Sequence, residues 1–130
     1  MKIVYLYISP RRRHDVSVNH RGVAIVAAAD IKLTAVTIGV QPTTFECVAA
    51  RVTSDMSSYV LLSVYRPGSS AVTASFFYEL ADVLDRFSTY VEPLVLSGDI
   101  NIWVERNTDP HAVEFRELLD SYGLTQMLRT

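Results

Sequence analysis

Four short runs of β-branched and aromatic residues in the first half of the sequence constrain the fold most strongly. Each run has the length and composition of a β-strand, and turn-type residues separate it from the next. Because a parallel crossover needs about a dozen residues or more, these closely joined runs predict antiparallel neighbours. The four predicted strands are residues 22–27 (GVAIVA), 33–39 (LTAVTIG), 45–53 (FECVAARVT) and 59–65 (YVLLSVY).

Helical periodicity replaces the strand pattern after Arg66. Between residues 72 and 87 apolar side chains recur at the spacing of one helix face, and Ser70 or Thr73 can cap the start of this helix. The apolar run that follows predicts a strand over residues 94–101.

A second helix is marked at both ends. Asp109 suits its N-cap, Pro110 its first position and Gly123 the position after its last turn. Residues 124–128 predict one further strand. Strands followed by a β-α-β-α order indicate a layered α/β (α+β) domain over residues 1–130, with a mostly antiparallel or mixed sheet and the helices on one face.

The net charge and one polar segment limit the classes of function. The net charge is −2, so binding of nucleic acid needs a local basic patch or a bound metal. Residues 10–21 predict a polar loop, and the arginine run 11–13 within it has two interpretations. It is either a phosphate-contact or nuclear-import cluster or an ordinary solvated loop.

The single cysteine and the N-terminal pattern bear on the compartment. Cys47 has apolar neighbours, which favour a small buried side chain on a strand over a catalytic thiol in a basic setting. The N-terminal apolar run precedes its charges, the reverse of a secretory signal, and no apolar stretch reaches the ~18 residues that cross a bilayer. We expect an intracellular protein of the nucleus or cytoplasm, with no membrane partner.

The chemistry-bearing residues lie where the predicted strands end. On a strand over residues 94–101 the period of two puts Asp99 and Asn101 on the same side, with Gly98 removing bulk beside them. A carboxylate and a carboxamide together can orient a water molecule and hold a phosphate oxygen. The alternative is a structural turn, because Gly, Asp and Asn are common turn residues.

The strand before the first helix ends in a phenol and a guanidinium. Tyr65 either takes part in the site or closes the core with its ring, and Arg66 either contacts substrate or is a surface charge. The residues alone leave these alternatives open.

Three segments together resemble the endonuclease/exonuclease/phosphatase superfamily. They are residues 63–84 (SVYRPGSSAVTASFFYELADVL), 93–101 (PLVLSGDIN) and 109–126 (DPHAVEFRELLDSYGLTQ). More narrowly, they resemble the apurinic-type endonuclease domain of non-LTR (LINE-type) retrotransposons in order and spacing across about residues 59–128. The run 21–26 resembles that family's early strand, so residues 21–128 are family-like and residues 1–20 match poorly.

This resemblance implies a fold, an activity and roles for individual residues. The implied fold is part of a four-layer α/β sandwich of the DNase I-like type, and the implied activity is Mg²⁺- or Mn²⁺-dependent cleavage of DNA phosphodiesters. Asp99 matches the aspartate that orients the attacking water beside the metal, Asn101 the asparagine that positions the phosphate, and Tyr65 the tyrosine that stabilises its charge. Arg66 and Trp103 become candidate substrate contacts, Trp103 either stacking on a base or covering a strand end.

The departures from the family are as informative as the matches. The metal-binding glutamate of the family is expected before residue 1, and residues 1–20 contain no Glu. The catalytic histidine is expected beyond Thr130, and His14, His20 and His111 are poor substitutes for it. Asp99 is then the only acid expected at the centre, since Glu105 and Asp109 follow in a loop.

Two functions therefore remain in view. The first is an incomplete phosphodiesterase domain that is weakly active or inactive, and the alternative is a non-catalytic remnant that serves as a binding or interaction module. A partial sandwich is also expected to expose an apolar face, covered by self-association or by missing segments.

Overall fold

The computed structural model describes residues 2–4, 16–20, 23–27, 30–55, 57–102 and 108–128. It is a small α+β fold in which two helices pack against a mixed sheet. The strands are β1 Lys2–Val4, β2 Val16–His20, β3 Val23–Ala27, β4 Lys32–Val36, β5 Glu46–Thr53, β6 Ser58–Tyr65, β7 Leu94–Asp99 and β8 Thr125–Leu128. The helices are α1 Ala74–Phe87 and α2 Pro110–Ser121.

The main sheet has the strand order β4-β5-β6-β7-β1-β8. Strands β4, β5 and β6 pair antiparallel, whereas β6 with β7, β7 with β1, and β1 with β8 pair parallel. The antiparallel prediction is confirmed for three of the four early runs. The prediction is wrong for the run at residues 22–27, because this run forms β3, which pairs with β2 in a separate two-stranded sheet.

Strand β2 falls within the segment predicted to be a polar loop. Its sequence, VSVNH, begins with valine at alternate positions, and this period of two is typical of a strand. The arginines and His14 before it give the segment the polar composition that predicts a loop, and residues 11–15 lie outside the described part of the chain. The hairpin of β2 and β3 contacts β5 on the side of the sheet away from the helices.

Both helices begin where their capping residues predict. The Thr73 hydroxyl accepts a hydrogen bond from the Phe76 N–H at 3.3 Å, which selects Thr73 over Ser70 as the cap of α1. The Asp109 carboxylate accepts from the His111 N–H at 2.9 Å at the start of α2. Gly123 follows α2 with φ +70°, the left-handed conformation in which a glycine ends a helix without steric cost.

One core lies between the sheet and the two helices, so the expectation that both helices cover one face is confirmed. The buried apolar face of α1 packs on Leu62 of β6 and Leu96 of β7, and Phe115 and Leu119 of α2 join the same cluster. A second, smaller cluster lies on the opposite face, where Ile25 of β3 meets apolar residues of β5 and β6. Both faces of the sheet are therefore packed, and β5, β6 and β7 carry side chains to each of them.

Cys47 lies in the core between β5 and the helices, 3% exposed. Burial raises the pKa of its thiol to about 11, so the thiolate is scarce at neutral pH. The interpretation as a buried apolar side chain is confirmed.

The described part of the chain holds no helix long and apolar enough to cross a bilayer. Its exposed large apolar residues are Tyr65 on β6, Tyr78 on α1 and Val91 in the connection between α1 and β7. The expected exposed apolar face is not seen among residues whose burial is described.

Glu79 of α1 holds the loop between β4 and β5 against the helix. The backbone N–H and hydroxyl of Thr43 donate to one carboxylate oxygen, and those of Thr44 to the other, at 2.6–2.8 Å. Partial burial by itself raises the pKa of Glu79, but these four hydrogen bonds outweigh it and hold the pKa below its usual value of 4.5.

We expect Glu79→Gln to destabilise the fold by about 1–2 kcal/mol at pH 7, since a carboxamide offers one acceptor oxygen in place of two. A carboxylate with a lowered folded pKa stabilises the fold above its unfolded pKa, and this contribution is lost as the pH falls through the folded value. Urea unfolding at neutral and acidic pH should show the difference between wild type and variant shrinking in acid. Glu117→Gln, on the exposed side of α2, is the matched control, and an equal loss in both variants would contradict the assignment.

Candidate functional site

The candidate site lies at the carboxyl ends of β6 and β7, which are parallel neighbours. Tyr65 and Asp99 are register partners there, so their backbones lie side by side. Both side chains leave the sheet on the face opposite the helices, because Val64 and Leu96 of the same strands point into the helix-covered core. Asp99 is exposed and Tyr65 is 39% exposed, so both are accessible in the described structure.

Gly98 allows β7 to approach β6 closely at this point. Its φ is +127°, and a Cβ at this position would lie 1.9 Å from the carbonyl oxygen of Val64. Atoms that are not bonded to each other cannot approach so closely, so only glycine fits. Gly98 therefore does more than remove bulk beside Asp99, since it sets the backbone spacing at the site.

The prediction that one strand carries both Asp99 and Asn101 is wrong. Strand β7 ends at Asp99, and Asn101 has φ +55°, the left-handed conformation that Asn tolerates better than most residues. The Asn101 N–H donates to Asp99 Oδ1 at 3.0 Å, which is the local side-chain-to-backbone bond that ends strands at Asp. The two residues are brought together by a turn, and strand periodicity is not the cause.

The side chain of Asn101 is directed back towards the end of β6. Its amide nitrogen donates to the carbonyl of Arg66 at 2.7 Å. A Cβ on Gly68 would lie 3.1 Å from the Asn101 side chain, so the loop after β6 packs closely on this amide. The amide nitrogen thus donates one of its two N–H groups within the protein, and the amide oxygen can accept a hydrogen bond from a ligand.

Arg66 is buried, 3% exposed, and the alternative of a surface charge is wrong. Its guanidinium donates to the carbonyls of Ile100 at 2.7 Å, Asn101 at 3.0 Å and Ser70 at 2.5 Å, and it lies 5.9 Å from the centroid of the Phe76 ring. A direct contact between Arg66 and substrate stays a prediction.

Sequence reasoning missed Glu46. The antiparallel register pairs Glu46 of β5 with Tyr65, so Glu46, Tyr65 and Asp99 form one row across three neighbouring strands on one face. With a strand spacing of ~4.8 Å, the Cα atoms of Glu46 and Asp99 are about 10 Å apart. The expectation that Asp99 is the only acid near the centre therefore needs correction. The start of β5 is brought to the end of β6 by hairpin pairing, and that pairing could have revealed it.

A buried hydroxyl lies on the same face of β7, two residues before Asp99. Ser97 is 4% exposed and its hydroxyl has no hydrogen-bond partner within the described part of the chain. It precedes Asp99 by two residues on β7 and pairs in register with the buried Ser63. The face that carries Asp99 and Tyr65 is therefore polar near the strand ends and apolar farther along.

Other predicted site residues take different places. Trp103 and Glu105 lie outside the described residues, so the two interpretations of Trp103 stay open. Asp109 caps α2 and belongs to that helix. His111 is exposed in the first turn of α2.

The described residues alone do not make a metal centre. Among them no group of three or more His, Cys, Asp and Glu side chains comes together. Mg²⁺ keeps several waters and uses one or two carboxylates with substrate phosphates, so Asp99 can supply at most a part of its shell. One of its oxygens already accepts the Asn101 N–H.

The arrangement as a whole offers an exposed carboxylate, a phenol and a carboxamide oxygen at one edge of the sheet. A carboxylate accepts a proton or orients a water molecule, and a phenol donates a hydrogen bond to an anionic oxygen.

In a comparison with family models, with characterised proteins and with solved structures, nothing matches this chain.

Proposed function

We propose that this chain is a partial phosphodiesterase domain of the endonuclease/exonuclease/phosphatase type, with DNA as its substrate class and an incomplete catalytic set. Its finer fold type is then a partial four-layer sandwich of the DNase I-like kind. The observation that carries the proposal is the register of β6 and β7, which makes Tyr65 and Asp99 neighbours at adjacent parallel strand ends. The residues of the family-like motifs thus lie together although 34 positions separate them in sequence.

Each proposed role follows from the chemistry of the side chain. Asp99 is exposed and can orient a water molecule towards a phosphorus atom. The Tyr65 hydroxyl can donate to a phosphate oxygen as negative charge develops on it, and Asn101 holds the turn that presents Asp99. In the family a Mg²⁺ or Mn²⁺ ion supplies the charge neutralisation that none of these three residues provides.

The site is proposed to be weak. A catalytic donor that meets developing charge is typically worth about 3 kcal/mol, and residues that act as a unit do not lose activity additively. Among the described residues no group of three or more metal-ligating side chains comes together, so we expect little rate enhancement from the purified chain.

The test is nicking of supercoiled plasmid by the purified chain with Mg²⁺ or Mn²⁺. We expect trace nicking at most, and Asp99→Ala should remove what there is. Asp120→Ala, an exposed acid on α2, is the matched control and should leave the trace unchanged. Fast metal-dependent nicking that Asp99→Ala abolishes would show that the site is more complete than proposed, and nicking that survives Asp99→Ala would place the chemistry elsewhere.

The second candidate is a non-catalytic binding module. It is favoured by the scarcity of clustered metal ligands among the described residues. DNA that binds at the strand ends without being cut, in either metal and at any enzyme concentration, would select this candidate over the first.

A further inference from the structure

Arg66 is an unexpected residue to bury. A guanidinium loses strongly favourable hydration when it leaves water, and the loss must be offset by hydrogen bonds of good geometry. In the described structure each of its donor nitrogens reaches a backbone carbonyl, two in the turn after β7 and one at Ser70. Because these partners are all main-chain atoms, what the guanidinium fixes is the path of the chain.

The connection between the two strand ends is reciprocal. The Arg66 N–H donates to the carbonyl of Asp99 at 2.9 Å, which extends the ladder of β6 and β7 by one residue. Its side chain donates to Ile100 and Asn101, and the Asn101 amide returns a hydrogen bond to the Arg66 carbonyl. Four hydrogen bonds therefore join this one residue to three consecutive residues of the turn.

The turn has a conformation that needs such support. Asn101 at φ +55° is in a region that costs an L-residue free energy, and strain of this kind persists only where the surroundings determine it. The ring of Phe76 lies on one side of the guanidinium, and the Gly68 backbone lies beside the Asn101 amide, so both partners of the turn also contact the loop and helix that follow β6.

We propose that Arg66 is a positioning residue, which holds the turn 99–101 so that Asp99 and Asn101 face the same open edge. Its task is then distinct from direct contact with substrate. The catalytic meaning of Asp99 and Asn101 rests on the proposed function, whereas the hold of Arg66 on the turn does not. Lysine cannot take this place, because one ammonium lacks the planar fork that reaches separate carbonyls.

Native-state amide exchange of Arg66→Lys is the first test. We expect protection of the amides of residues 66 and 101 to fall roughly tenfold or more beyond any change at Leu62 and Leu96 in the core, the effect of losing a hydrogen bond to a charged group. Arg51→Lys is the matched control, since Arg51 pairs with Glu92 away from the turn. An equal fall at all four amides would mean that Arg66 only adds global stability, and the proposal would be wrong.

A second readout reports on position and separates this proposal from the proposed function. Mn²⁺ should broaden the NMR signals of Asp99 in wild type, and Arg66→Lys should weaken that broadening. No broadening in wild type would count against the proposed function alone, and the exchange result would still decide the role of Arg66. Unchanged broadening in Arg66→Lys would overturn the positioning role.

The wild-type protein offers a test that does not depend on whether a variant folds. The Nε–H proton of Arg66 donates to the Ile100 carbonyl in a buried place, so it should exchange slowly with solvent and show a close approach to residues 100 and 101 in NMR. A rapidly exchanging Nε–H would contradict the proposal.

Discussion

Replacement of Gly98 by alanine is expected to destabilise the protein by about 3 kcal/mol or more, close to the loss of the folded state in a marginally stable domain. Two costs combine. The φ of +127° is strained for any residue with a Cβ, and that Cβ would meet the Val64 oxygen at 1.9 Å and two further Val64 backbone atoms at 2.8 Å. Backbone atoms of a central strand cannot move aside as the end of a flexible side chain can.

Gly123→Ala is the matched control for this change. Gly123 also has a positive φ, +70°, but a Cβ added there would have no atom of another residue within 4 Å, its chain neighbours aside. It should therefore cost only the left-handed backbone, about 1–2 kcal/mol. Urea unfolding of both variants measures the difference, and equal losses would show that the close approach of β6 and β7 at the site is not real.

Phe76→Ala is the second large effect, with an expected loss of about 3–5 kcal/mol. Phe76 is 1% exposed, and its ring meets those of Phe45 and Phe77 edge-on at centroid distances of 5.6 and 5.2 Å. Truncation leaves a cavity in the core beneath α1, and it also removes the ring beside the Arg66 guanidinium. The substitution should therefore disturb the turn that Arg66 contacts as well as the packing of the core.

Tyr78→Ala tests the specificity of that effect. Tyr78 lies on the same helix two residues further on and is 77% exposed. Replacing it should therefore lower the free energy of unfolding by no more than about 0.5 kcal/mol. Should Phe76→Ala fail to fold, Phe76→Leu gives a milder change of about 1–2 kcal/mol in the same direction. Comparable denaturation midpoints for the Phe76 and Tyr78 variants would contradict the packing described for α1.

Local sequence signals predicted much of the fold. The caps Thr73 and Asp109, the glycine after α2 and the apolar stripe of α1 act within a few residues of the elements they define. Pairing beyond neighbours is different, because it depends on which surfaces meet. For that reason the partner of β3, and the place of β1 between β7 and β8, could not be read from the pattern of residues 22–27 or from residues 2–4.

The candidate site also has some residues that a local pattern predicts and others that depend on strand pairing. Tyr65 and Asp99 could be identified because each ends an apolar strand, and only the parallel register shows that they are partners. Glu46 begins a strand and carries no local mark of a site, so only the register of the predicted hairpin between residues 45–53 and 59–65 places it at the end of β6. The burial of Arg66 also depends on carbonyls 34 and 35 positions away, which no local pattern contains.

The measurement that tests the central claim most directly is an NMR titration of the labelled wild-type chain with short duplex DNA in the presence of Mg²⁺. We expect the largest shift changes at Tyr65, Asp99 and Asn101, and we expect Asp99→Asn to reduce the changes at Tyr65 and Asn101. Largest changes on the outer side of α1 around Tyr78, or no changes at all, would contradict the claim that these strand ends form the phosphodiester site.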